Sequence, residues 1–246
     1  MRALVGKAAS STARHKTHIA YRLFQTSSEA YLRWIENCAD YRSLLSGRAV
    51  HGNLIVNGLA RLTHFASKLI AMYAECGELP VARKLFDEIP KRNYRRWIVL
   101  LGAYAKCGFY REALILFWEM QREGIRPNNY VLPSVLKACG HLTNHTMGKK
   151  MHCFILRCSY EHDAFVNSAL IDMYAKCALV DNARRVFDGM LAKDLVGLNA
   201  MVSGYVHAGL VKEALCLVER TQLAGSKPNV VTWNTLVGGF SQAGIC

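Results

Sequence analysis

The amino-acid sequence predicts an all-α protein, a solenoid of helix-turn-helix repeats in units of 31 and 35 residues. Three observations carry this. The stretch from Ala164 to Asp194, moved back by 101 residues, falls without a gap on the stretch ending at Asn93. The shift pairs Ser168 with Ser67, Leu170 with Leu69, Tyr174 with Tyr73, Ala183 with Ala82 and Phe187 with Phe86. Apolar residues within a unit recur at helical spacing, as Leu198, Met201, Val202 and Tyr205 do. Glycine recurs where one helix must end and its partner begin, at Gly77, Gly108, Gly209 and Gly244.

Taken in order, residues 1–27 are basic, rich in Ser, Thr and Ala, and free of acid, the composition of an organelle transit peptide rather than of a folded element. They hold no apolar block of secretory type, and Arg22-Leu23-Phe24 resembles a mitochondrial processing site. A basic arm touching RNA is the alternative for this segment. Repeat units then start at 28, 63, 94, 129, 164 and 195, and an incomplete unit occupies 230–246. Each complete unit is expected to hold two helices. In the unit from Leu195, Gly209 breaks the first helix, and Ala214, Leu215, Leu217 and Val218 mark the second. Gly225 and Pro228 end that one. Ala178 stands where other units have glycine, so its turn is expected to be slightly strained. Ala82, Ala113, Ala183 and Ala214 fall where two helices approach closely, and Phe86, Phe117 and Phe187, four residues after the first three, fill the interface. Cys76, Cys107 and Cys177 share one position and read as small apolar residues between helices. The stop at Cys246 leaves the last first-helix without a partner, which reads as a fragment, a short isoform or an end covered by another protein.

Lys and Arg number 31 against 18 Asp and Glu, a formal charge of +13 that favours a polyanionic partner, nucleic acid before an anionic membrane. Arg2, Lys7, Arg14, Lys16 and Arg22 belong to the leader, which leaves +8 on the repeats. Nine cysteines form no C-x-x-C pair, against a zinc site or disulfide framework. No run approaches the length of a transmembrane helix, so no membrane insertion is expected. Signatures of zinc hydrolysis, phosphate-binding loops and serine nucleophiles are missing as well. The expectation is a non-enzyme with no catalytic residue, metal or cofactor.

Helix pairs of this length, with Gly124-Ile-Arg-Pro-Asn128 and Gly225-Ser-Lys-Pro-Asn229 as unit endings and Val230-Val-Thr-Trp-Asn-Thr-Leu236 as an opening, resemble pentatricopeptide repeats. The alternation of 35 and 31 residues is similar to the PLS subclass of plant organelles, with P-type units at 94 and 195, L-type at 28 and 129, and S-type at 63 and 164. The unit at 230 is P-like. The tetratricopeptide repeat is the nearest look-alike, but its W-x-x-L-G-x-x-Y signature is absent. Membership of this subclass implies a right-handed superhelix that reads single-stranded RNA at one base per repeat. It also implies C-to-U editing as the outcome. The deaminase-like domain that often ends such proteins carries H-x-E and P-C-x-x-C, and neither occurs here, so a deaminase would act in trans alongside editing-factor proteins.

Under the resemblance, the fifth and last residues of a unit read the base. That assigns Ser67 with Asn93 to adenine, Ser168 with Asp194 to guanine, and Asn199 with Asn229 to a pyrimidine, cytosine favoured. Asn234 is a fifth residue whose partner is missing. Ile98 stands beside Asn128, and an apolar side chain cannot donate to a base edge. Leu32 with Leu62 and Pro133 with Asp163 are spacers. The second residue wedges between bases, a role that Val196 and Val231 fit and that Phe165 and Tyr130 could fill by stacking. His64, Arg95 and Glu29 depart from it. Lys106 and Lys176 match a basic position near phosphate, where the unit at 63 has Glu75. The implied footprint is about six nucleotides, 5′ to 3′ along the chain, with steep salt dependence. The leader points to the mitochondrion, with the chloroplast as alternative. The competing functional reading is a helical-repeat adaptor for protein partners, or a truncated remnant without independent function.

Overall fold

The computed structural model describes residues 28–88, 94–190, 194–225 and 227–244. The proposed transit peptide and Asn93 lie outside the described residues. Among the described residues every regular element is an α-helix. The described residues divide into two compact units, one ending at Leu100 and the other beginning at Leu101.

The first unit holds α1 (28–40), α2 (Leu44–Val56), α3 (Thr63–Glu75), α4 (Leu79–Asp87) and the opening of α5 (Tyr94–Lys106). Helix α3 packs against both α2 and α4. Seven of its thirteen residues are buried, among them Phe65, Leu69, Ile70 and Tyr73 at helical spacing. Phe86 on α4 meets Trp97 on α5 edge to face, with ring centres 4.7 Å apart.

The second unit continues with α6 (Tyr110–Arg122), α7 (Leu132–His141), α8 (His145–Arg157), α9 (Ala164–Lys176), α10 (Val180–Gly189), α11 (Leu195–His207), α12 (Val211–Leu223) and α13 (Val230–Gln242). It is built in two layers. Helices α7, α9, α11 and α13 pack one on the next, and α8, α10 and α12 each wedge between two neighbours in that row. Ala113, Leu116, Phe117 and Met120 give α6 one buried stripe. Ala183 and Phe187 are the two buried residues of α10. The alanines expected at close approaches and the phenylalanines expected as knobs are therefore all interior.

The length alternation has a local origin. The second helices α2, α6, α8 and α12 run 13 residues, whereas α4 has 9 and α10 has 10. About one helical turn is missing from the outer helix of each short unit.

The turn geometry matches expectation at Gly77, with φ +81°, and at Ala178, with φ +58°. Arg42 and Thr143, 101 residues apart, also adopt positive φ, at 49° and 50°, without glycine to signal it. Helix α7 begins at Leu132, three residues after the unit start at 129. Pro133 has no N–H to give the carbonyl of Asn129, and the Asn128 side chain accepts from the backbone N–H of Tyr130 at 2.9 Å, closing a separate turn first.

The cysteine reading needs correction. Cys107 is exposed, and Cys76 and Cys177 are half-buried caps at the ends of α3 and α9. The position lies just past the last helical turn, so its side chain meets the rim of the interface, with sulfurs 3.9 and 4.0 Å from Met72 and Met173 Sδ. Among the described residues Cys38 and Cys139 are the buried thiols, and burial pushes Cys139 up to about 12.

Candidate nucleic-acid interface

The opening turns of the first helices sort the residues by face. The second residue of a unit points outward: Phe165 is 73% exposed, Val231 56% and Val196 51%. From the second repeat onward the third residue turns inward, and Phe65, Arg96, Val131, Val166, Gly197 and Thr232 are all buried, whereas Ala30 in the first repeat is exposed. The fifth lies at the boundary, half-buried at Ser67, Ser168 and Asn199 and exposed at Asn234. This sequence of outside, inside and edge follows from the helical period. In the second unit Ser168, Asn199 and Asn234 sit on three consecutive helices of the inner row, α9, α11 and α13.

The last residue of a unit has a structural duty of its own. Asp163, Asp194 and Asn229 are N-caps of α9, α11 and α13. Asp194 Oδ1 accepts from the Gly197 N–H at 2.7 Å, and Asn229 Oδ1 from the Thr232 N–H at 3.1 Å. Asn128 makes the turn before α7 in the same way. Capping accounts for the recurrence of Asn and Asp here without any ligand. It leaves Asp194 Oδ2 and Asn229 Nδ2 without protein partners among the described residues.

Of the expected reading pairs, the structure joins Asn199 and Asn229: Asn199 Nδ2 lies 3.4 Å from Asn229 Oδ1. Thr232, the third residue of the next unit, donates its hydroxyl to Asn199 Oδ1 at 2.6 Å. That fixes the amide with its oxygen inward and its NH2 outward. Ser168 donates to the Ala164 carbonyl at 2.8 Å and makes no bond to Asp194. Ser67 donates to the Thr63 carbonyl, also at 2.8 Å, but its oxygen accepts from Arg96 Nε at 2.8 Å, and Arg96 Nη2 reaches the same carbonyl at 2.9 Å. Arg96 is 1% exposed. Burial lowers its pKa from the usual arginine value.

Arg96 and Thr232 were not singled out by sequence. The available signals were a charged residue at the position that is otherwise core-facing, and the Asn229-x-x-Thr232 capping pattern. Lys106 and Lys176 are both exposed at the ends of α5 and α9. Lys176 pairs with Asp172 at 2.7 Å and approaches His141 Nε2 at 3.2 Å. Ile98 is half-buried, and Asn234 bonds no described side chain.

In the second unit the expected reading positions lie on a row of helix starts rather than in a cavity. Clefts of about 610 and 690 Å³ are lined by residues of α8 and by residues of α2, α4 and the loop that follows α2, and neither includes an expected reading position. Among the described residues no cluster of His, Cys, Asp or Glu could hold a metal, and no helix is long and apolar enough to cross a membrane.

The family model for the PPR repeat matches residues 67–94, 97–125, 168–195, 196–225 and 231–244. A pentatricopeptide repeat-containing protein of Arabidopsis thaliana is 45% identical over 210 residues, covering 85% of this chain and 39% of its own length. Another from that plant, designated chloroplastic, is 34% identical over 214 residues, covering 86% of this chain and 41% of its own. A third, designated mitochondrial, is 34% identical over 204 residues, with 83% and 32% covered. The chain thus spans well under half of each. The crystal structure of the pentatricopeptide repeat protein PPR10 from maize superposes with a TM-score of 0.67 at 21% identity, over 88% of this chain and 32% of that one. PPR10 in complex with an 18-nt psaJ RNA element superposes at 0.60, also at 21% identity, over 79% and 30%.

Proposed function

The chain belongs to the pentatricopeptide repeat family, and from that premise we propose that it binds single-stranded RNA sequence-selectively through the first helices of its repeats. One observation carries the reading: Asn199 and Asn229, 30 residues apart, meet at 3.4 Å beside exposed Val196 and Val231. A polar pair flanked by apolar wedges is the geometry that a splayed base edge requires, with stacking on its faces and hydrogen bonds on its edge. The binding of an RNA element by PPR10 in a related fold supports it. Asp194 Oδ2, an acceptor, suits the N–H groups of guanine, and the outward NH2 of Asn199 suits the ring acceptors of a pyrimidine. Ser67 with Asn93 would take adenine, Asn128 and Asn234 would contribute beside Ile98 and in the last unit, and Phe165, Lys106 and Lys176 would stack or neutralise phosphate.

The shortened α4 and α10 support assignment to the PLS subclass, and with it selection of RNA-processing sites, C-to-U editing foremost, with a deaminase and editing-factor proteins in trans. The mitochondrial and chloroplastic designations among relatives support an organelle; the basic leader favours the mitochondrion.

The test is selection of a randomised RNA pool by the full chain, with sequencing of the bound fraction, for wild type and for the double variant Asn199→Thr with Asn229→Asp. Aspartate caps a helix as well as asparagine does, so the fold is kept. The selected base at one position should move from pyrimidine towards guanine. Unchanged selection by the variant, or no enrichment by wild type, refutes base reading. Capture of protein partners without RNA preference would favour the adaptor reading.

A further inference from the structure

Two buried side chains, at the same place in their repeats, reach back across a repeat boundary to the fifth residue of the unit before. Arg96, third in its unit, donates to Ser67 Oγ at 2.8 Å. Thr232, third in its unit, donates to Asn199 Oδ1 at 2.6 Å. Arg96 is 1% exposed and Thr232 is fully buried, so neither is placed to touch RNA itself. The chemistry of the two contacts converges. Thr232 occupies the amide oxygen of Asn199, which leaves the NH2 as the group facing outward. Arg96 covers the Thr63 carbonyl with Nη2, so that carbonyl keeps a partner when the Ser67 proton turns away from it. At the same time its charge, bonded to the serine oxygen, makes the remaining O–H a stronger donor.

The geometry points to Arg96 and Thr232 as positioning residues for the base readers of the preceding repeats, presenting Ser67 and Asn199 as hydrogen-bond donors to an acceptor on the base edge. This rests on the reading proposed above, that fifth residues face bases. An internal contrast sharpens it. Ser168 matches Ser67 under the 101-residue shift, but the residue matching Arg96 is Gly197, and Ser168 keeps its proton on the Ala164 carbonyl without a second donor. Two serines of equal rank in the repeat are therefore unequal donors. Ser67 should discriminate for a base acceptor, such as a purine or pyrimidine ring nitrogen, more strongly than Ser168 does.

The experiment compares base enrichment, position by position, for the full-length wild type, Arg96→Met, Arg96→Lys, Thr232→Val and Thr232→Ser. Arg96→Met should lower enrichment about tenfold at the base facing Ser67, since a charge-assisted hydrogen bond is lost, and leave the base facing Ser168 as it was. Arg96→Lys should recover part of it. Thr232→Val should do the same at the base facing Asn199, with Thr232→Ser restoring the wild-type profile. A loss spread evenly over all positions, with a lowered melting temperature, would overturn the positioning role in favour of a purely structural one. An unchanged profile in both Arg96→Met and Thr232→Val would overturn it outright. Absence of enrichment by wild type would remove the base-reading premise, a result distinct from either.

Discussion

Substituting Ala178 by glycine should stabilise the protein. Ala178 holds φ at +58° in the turn between α9 and α10 and is exposed, so its methyl group contributes no burial. A left-handed conformation costs a non-glycine residue about 1–2 kcal/mol. Glycine returns about 0.4–1 kcal/mol of that through the greater freedom of its unfolded chain. The net gain is about 0.5–1 kcal/mol, or about 1–4 °C in melting temperature for a chain of this size. The matched turn supplies the mirror experiment. Gly77 sits at φ +81°, and a Cβ added there would meet no atom within 4 Å, so Gly77→Ala isolates the backbone penalty and should destabilise by a similar amount. Thermal and urea denaturation followed by circular dichroism would read both. If Ala178→Gly melts at or below wild type while Gly77→Ala leaves stability unchanged, backbone strain at this turn is not what distinguishes the two repeats.

Two other perturbations test the packing and the titration behaviour. Phe86→Ala empties a fully buried site against Trp97 and should lose about 3–5 kcal/mol in urea denaturation. The emission of Trp97, buried while Trp34, Trp118 and Trp233 are partly exposed, should shift to the red. His51 and His152 hydrogen-bond Tyr73 and Tyr174 at 3.0 and 2.9 Å, and burial lowers the pKa of both, with Glu88 opposing this at His51. The unfolded chain, with histidine near about 6.5, then binds protons before the folded one does. Stability should be full above that pH and fall as pH drops below it towards the folded values. Melting curves at about pH 7.5 and 5 would show the loss, and the double variant His51→Gln with His152→Gln should reduce it; a flat wild-type profile would refute the assignment.

What recurs in the sequence proved legible, and what occurs once did not. Phe86, Phe117 and Phe187 announced their burial by returning at fixed spacing, and Gly77 and Gly209 announced their turns in the same way. The third position gives no such signal. It holds Ala30, Phe65, Arg96, Val131, Val166, Gly197 and Thr232, seven residues of six types, so periodicity averages it into an apolar background although two of the seven bond the preceding repeat. The delayed start of α7 is of the same kind, since Pro133 and the Asn128 turn override a period that holds elsewhere. Recurrence also overstated one residue. Cys107 shares a position with Cys76 and Cys177 yet is exposed, because the site lies past the last helical turn.

The backward reach of Arg96 and Thr232 bears on how such a chain can be cut and rejoined. Divided where the repeats are counted, before Tyr94 or before Val230, a graft would carry Ser67 or Asn199 away from the side chain bonded to it. A division made after the third residue instead keeps Ser67 with Arg96 and Asn199 with Thr232. At these two boundaries the natural module for recombination is therefore offset by three residues from the module that sequence periodicity displays, and chimaeras cut at the one place or the other would differ in whether Ser67 and Asn199 keep their hydrogen-bond partners.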